Sequence, residues 1–210
     1  MAYKTRRFKN PAEETESIYL TEAELLRIYG HDQLPPYLDR ARDLFIVGAF
    51  TGLRFSDFTK IRPEAITSGM ITVKTQKTEQ SIIIPVHWVV GQIIEKYAGH
   101  LPPPISNQKL NEYLKLIVAR AGIKEKVIKY RTQGGVRTGE AFEKWELVTT
   151  HTARRSFATN AYIAGLPTIS IMKITGHRSE RSFMKYIRIS QQENAVAASA
   201  HPFFQPPGTW

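Results

Sequence analysis

Over most of the chain, apolar residues recur at helical spacing. In two stretches the rhythm changes to runs of β-branched residues. Thr21 and Glu24 form a capping box that opens a helix over 22–29, with Leu25, Leu26 and Ile28 apolar. Pro35-Pro36 precede a second helix over 37–50, whose inward positions are Leu38, Ala41, Leu44, Phe45 and Gly48. Gly52 stops it, and a short helix from Phe55 to Ile61 ends before Pro63. Met70–Lys74 and Ser81–Ile84 read as a β-hairpin with the loop Thr75–Gln80. Residues 86–98 return to helix, and Ser106 caps another to about Arg120, with Leu110, Leu114, Ile117 and Val118 inward. Val127–Thr132 and Val136–Thr149 flank Gln133-Gly134-Gly135 as a second ribbon, with Lys129, Arg131, Arg137 and Lys144 expected on its exposed faces.

The last third is helical again. A helix over 151–164 ends at Gly165, one over 168–174 closes at Gly176, and Ser179 caps a third reaching Arg188. Ser190 starts an Ala-rich helix over 191–200, followed by a Pro-rich tail that carries Phe203, Phe204 and Trp210. The pattern predicts an α+β fold, mainly α-helical with small antiparallel β-hairpins. Residues 1–17 read as a linker or tail, 18–190 as one domain, and 191–210 as a C-terminal helix and tail.

Composition narrows the function classes. With 210 residues and 42% hydrophobic content the chain can bury a core without staples, and it has no cysteine. Cysteine-held zinc, thiol catalysis and iron–sulfur clusters are therefore excluded. No apolar run is long enough to span a membrane and no apolar signal core opens the chain, so a cytosolic protein is expected. The formal net charge is +10, which points to an acidic partner. Residues 1–100 hold 13 basic and 12 acidic side chains, whereas residues 101–210 hold 16 and 7. The second half is thus expected to carry most phosphate contacts.

Four places bear chemistry. In Thr51-Gly52-Leu53-Arg54-Phe55-Ser56-Asp57, Arg54 sits where one helix ends and another starts, with Asp57 placed to orient it. A structural Arg–Asp pair at this spacing is the plainer reading. Lys77 stands at the tip of the first hairpin, where an ammonium can be merely solvated or can donate a proton. His151 and Arg154 share a face of a helical first turn, where free backbone amides also favour an anion. Gly176-His177 is followed nine residues later by Tyr186, whose phenol is either a nucleophile or core packing beside Phe183 and Ile187.

Taken together, TGLRFSD, the hairpin lysine, HTARRSFATN, TGHRS and SFMKYI resemble, in order and spacing, the tyrosine recombinase (phage integrase) family over residues 20–190. The resemblance implies that family's catalytic-domain fold and six site residues, here Arg54, Lys77, His151, Arg154, His177 and Tyr186. It implies DNA cleavage by the Tyr186 phenol through a 3′-phosphotyrosyl bond, with no cofactor and no metal. The two arginines would clamp the phosphate and His177 would bond a non-bridging oxygen. His151 would assist Tyr186, and Lys77 would protonate the 5′ oxygen.

Lys129, Arg131, Arg137, Arg155 and Arg178 are the expected DNA-binding side chains, and double-stranded DNA of a mobile element is the expected partner. Family members assemble as tetramers on DNA, often by passing the C-terminal helix to a neighbour; a helix kept within the same chain fits the sequence equally well. Members also usually carry a separate helical domain before this one, and this sequence lacks it, as an isolated catalytic domain would. A type IB topoisomerase-like relaxing activity and a non-catalytic DNA-binding regulator are the alternatives.

Overall fold

The computed structural model describes residues 17–76, 79, 81–133, 136–199 and 201–204; side chains are not described for 131–133, 136, 137 and 202. Helices dominate. The first, α1 (Glu22–Tyr29), opens on the capping box as expected, with the Thr21 hydroxyl accepting from the Glu24 amide and Glu24 accepting from the Thr21 amide. It packs on α2 (Pro36–Thr51), the central helix, whose buried residues include Leu38, Leu44, Phe45 and Val47. α2 stops at Gly52, which takes the left-handed φ of +66°. A short α3 (Phe55–Phe58) follows.

Next come β1 (Ile66–Thr67), β2 (Met70–Lys74) and β3 (Ser81–Pro85), an antiparallel sheet in that order. The hairpin pattern held only β2 and β3. β1 is two residues long, too short to show a period, and it joins through a tight Ser68-Gly69 turn with positive φ at both residues. One face of the sheet is apolar: Ile71 pairs with Ile84 and Val73 with Ile82, and all four are buried. α4 (Trp88–Lys96) and α5 (Asn107–Arg120) complete the main core against α2.

The second ribbon is β4 (Lys126–Gln133) and β5 (Val136–Glu143). β5 ends six residues before the expected Thr149. There, Glu143 and Glu146 form a reciprocal capping box that starts a 3-10 turn over Lys144–Leu147. The expected exposure of Lys144 is overturned for a related reason. Its side chain is 9% exposed, with Nζ 2.8 Å from Glu24 and 3.3 Å from Glu125. A buried ammonium needs such carboxylates to replace its hydration. Lys129, also expected to be exposed, is half-buried with Nζ 5.7 Å from the centre of the Phe142 ring.

The C-terminal third forms a smaller packing unit. α6 (Thr150–Ile163), α7 (Thr168–Thr175) and α8 (Glu180–Met184) bury Ala158, Ile171, Phe183 and Ile187 together. α8 stops four residues short of the expected Arg188. The Thr159 hydroxyl of α6 donates to the Tyr186 carbonyl at 3.2 Å and accepts the Arg188 amide at 3.3 Å, pulling the chain out of helical register. Finally α9 (Gln191–Ser199) buries none of its residues, and Glu193 accepts the Tyr19 hydroxyl at 2.7 Å. Among the described residues no helix is long and apolar enough to cross a membrane.

Candidate active site

Arg54 is the N-cap residue of α3, held where α2 has just been turned by Gly52. Its side chain is one quarter exposed, with Nη1 3.9 Å from the buried Asp57 carboxylate. Asp57 also accepts the Gln76 amide at 3.0 Å, so one carboxylate faces both Arg54 and the β2–β3 loop. Lys77, the next residue, lies outside the described residues.

Arg154, on α6, is almost wholly buried. Its Nη1 donates to the Gly52 carbonyl at 2.8 Å and its Nη2 donates to the Thr175 carbonyl. The guanidinium therefore ties the end of α2 to the end of α7. Its carbon lies 5.7 Å from the centre of the Tyr186 ring. Burial, then the charge of Arg54, lowers its pKa to about 10, opposed by Tyr186 and Asp57. Two guanidiniums held this close have a stake in a shared anion. Arg54 Nη1 and Arg154 Nε are both buried without a hydrogen-bond partner among the described residues.

His177 follows the left-handed Gly176 and stands 4.5 Å, ring to ring, from Tyr186. Thr175 Oγ1 lies 2.7 Å from its Nδ1 and 2.7 Å from the Ile171 carbonyl. The hydroxyl has one proton, and its helical back-bond to Ile171 uses it, so Nδ1 donates and the neutral ring leaves Nε2 free. Burial, then Arg154 and Arg54, pushes the His177 pKa down to about 4. His151, at the start of α6, is lowered as well, by desolvation and then by Arg155, Arg154 and Arg54.

Five of the six expected residues, Arg54, His151, Arg154, His177 and Tyr186, thus share one electrostatic neighbourhood although they span 133 positions of sequence. Tyr186 packs against the small core of Phe183 and Ile187 yet stays partly exposed. The free amides expected at the start of α6 are largely committed. Thr150 N–H donates to Asn111 and Thr152 N–H to the Thr149 carbonyl, because α5 docks its Asn107 and Asn111 against this end.

Of the expected DNA-binding side chains, Arg178 is exposed between α7 and α8. Arg155 turns inward, its Nε donating to the Ile18 carbonyl at 2.8 Å. The side chains of Arg131 and Arg137 lie outside the described residues. Thr159 and Thr175 were not anticipated; a threonine two residues before the histidine of TGH is the one signal the sequence offered.

The sequence pattern described as "Phage integrase family" matches residues 19–193. The chain is 26% identical over 180 residues to "Tyrosine recombinase XerC" of Syntrophus aciditrophicus (strain SB), covering 77% of this chain and 54% of that protein. It is 24% identical over 199 residues to the "Integrase" of Escherichia phage P2, covering 94% of this chain and 50% of that one. The chain spans about half the length of these curated relatives. A crystal structure of a lambda integrase dimer bound to a core site shares the fold, with a TM-score of 0.60 at 21% identity over 88% of this chain and 62% of that one. By the family match and by its fold, the chain belongs to the phage integrase family, the tyrosine recombinases.

Proposed function

We propose that this chain is the catalytic part of a site-specific DNA recombinase or integrase, of a mobile element, that cuts and rejoins strands through a 3′-phosphotyrosyl intermediate. The gathering of Arg54, His151, Arg154 and His177 around a half-exposed Tyr186 carries the reading. The Tyr186 phenol oxygen attacks the scissile phosphorus. A Tyr186 Oη–P bond forms and the P–O5′ bond breaks. The phenol proton passes to His151, which desolvation and then its cationic neighbours keep neutral and therefore able to accept it. The departing O5′ takes a proton from Lys77. Rejoining runs the same steps backwards from a 5′-hydroxyl, so the bond energy is kept in the tyrosyl ester.

Arg54 and Arg154 neutralise charge on the non-bridging oxygens. Both reach that position already placed, since Arg154 is fixed by two carbonyls and Arg54 faces Asp57. For His177 to donate to a phosphate oxygen, Nε2 must gain a proton. An arriving phosphate offsets the repulsion from the two arginines and favours that uptake. Double-stranded DNA is the partner, and assembly into a tetramer occurs on it. Residues 18–190 constitute the catalytic unit, within a chain that spans about half the length of its curated relatives.

The test is a nicked suicide DNA duplex incubated with the chain, followed by denaturing electrophoresis. A covalent adduct is expected with wild type and none with Tyr186→Phe. Duplex binding with no adduct at any candidate site overturns the enzyme reading in favour of a non-catalytic regulator. Relaxation of supercoiled DNA without site preference indicates topoisomerase-like activity instead.

A further inference from the structure

An open cleft of about 500 Å³ lies between α3 with its following turn and the β2–β3 hairpin. Three cations line it: Lys60 and Arg62 from the segment after α3, and Lys74 from β2. All three are exposed, and none has an ion-pair partner among the described residues. Two carboxylates also line the cleft. Asp57 is buried and committed to the Gln76 amide and the Arg54 side, which leaves Glu64 as the one exposed acid. The fold thus holds three like charges around one concavity with too little negative charge to satisfy them. A concave wall concentrates their field.

The cleft adjoins the candidate active site through two of its own residues. Asp57 faces Arg54, and Gln76 directly precedes Lys77. A strand whose scissile phosphate lies at Arg54 has neighbouring phosphates within a few nucleotides, at ~3.4 Å of axial rise each.

We propose that Lys60, Arg62 and Lys74 form a second phosphate-binding site that holds the DNA backbone flanking the scissile position. The site rests on the recombinase reading above. It binds consecutive phosphodiesters and takes no part in bond breaking, so it governs affinity and register. It also shifts the expected interface. The first hundred residues carry a net charge near zero, yet much of their acid is consumed internally. Asp39 and Asp43 are held by Arg42 and Lys96, and Glu24 by Lys144. The cleft's three cations are among those left without an ion pair within the described residues.

The experiment measures binding of a labelled duplex by anisotropy across a salt series for wild type and for Lys60→Gln/Arg62→Gln/Lys74→Gln. Each phosphate contact contributes about 0.9 to the slope of log affinity against log salt, so the slope is expected to fall by about 2–3. Adduct formation on suicide substrate at subsaturating protein is expected to fall in parallel with duplex affinity, since the site sets how much substrate is held in register. A control, Lys115→Gln/Arg120→Gln/Lys124→Gln, removes equal charge from around the end of α5 and is expected to leave the slope alone. An unchanged slope in the cleft variant, or an equal drop in the control, overturns the proposal. Should the triple variant fail to fold, each single substitution is expected to lower the slope by about one-third as much. Failure of wild type to bind duplex or form adduct would instead remove the recombinase reading itself.

Discussion

His177 shows how much one side chain depends on its surroundings. The residue is flanked by Gly176 and Arg178, and the causes that lower its basicity are burial and two arginines far away in sequence. Its environment comes from α6, α7 and the loop after α2: burial, Arg154, Arg54 and the Thr175 hydroxyl. The consequence is measurable. The native ring titrates at about 4 against an ordinary 6.5, so between these values the unfolded chain binds more protons than the native one. Stability contributed by the neutral ring is complete above pH ~6.5 and is lost as the pH falls towards about 4. Urea midpoints between pH 7 and 4.5 are expected to drop, with a shallower drop in His177→Gln. An identical pH dependence in the two proteins would show that the ring is not protected in this way. His151 contributes with the same sign.

At the scale of elements, the site is assembled by how helices end. Gly52 turns α2 with a positive φ and offers its carbonyl to Arg154, and Gly176 turns α7 just before His177. A Cβ on Gly52 would sit 2.3 Å from Phe157 Cδ1, closer than atoms can approach, and at a φ of +66°. Gly52→Ala is therefore expected to lose stability both by strain, about 1–3 kcal/mol, and by overpacking, about 1–3 kcal/mol more. Gly122→Ala has φ +74° with nothing within 4 Å of the added carbon, so it carries the strain alone. Thermal or urea denaturation of the two variants separates the contributions; equal losses would mean that Phe157 simply moves aside. Adduct formation is expected to fall in Gly52→Ala only, because only there is the Arg154 anchor displaced.

For the whole molecule, ion pairs distant in sequence tie the N-terminal helices to the rest. Arg42 and Lys96 share Asp39 and Asp43, joining α2 to α4, and Tyr97 donates to Asp43 at 3.1 Å. Lys144 joins the 3-10 turn after the ribbon to Glu24 on α1. Replacing it by Met leaves Glu24 without its closest cation in a nearly dry place, and breaking such a pair costs about 3–5 kcal/mol. The expected outcome is a Lys144→Met variant with a much lower denaturation midpoint that recovers in part when Glu24→Gln is added. A loss no larger than that of a solvent-exposed lysine would mean that water reaches the pair.

The boundaries of α1, α2, α5 and α6 lie close to those read from capping residues, prolines and apolar spacing, since these signals act within a few residues of themselves. Arg54, His151, Arg154, His177 and Tyr186 were also legible, through short motifs rather than through any visible proximity. What only the tertiary structure decided is where long-range partners compete with local preference. Thr159 ends α8 early and sets the Tyr186 segment, Glu24 and Glu125 draw in Lys144, and Ile18 claims Arg155. Thr175 fixes the proton on His177 from within α7, by a back-bond that exists only once the helix has formed. Sequence spacing records local periodicity, but a buried polar group is satisfied by whatever the fold brings within 3 Å of it. That choice is made in space.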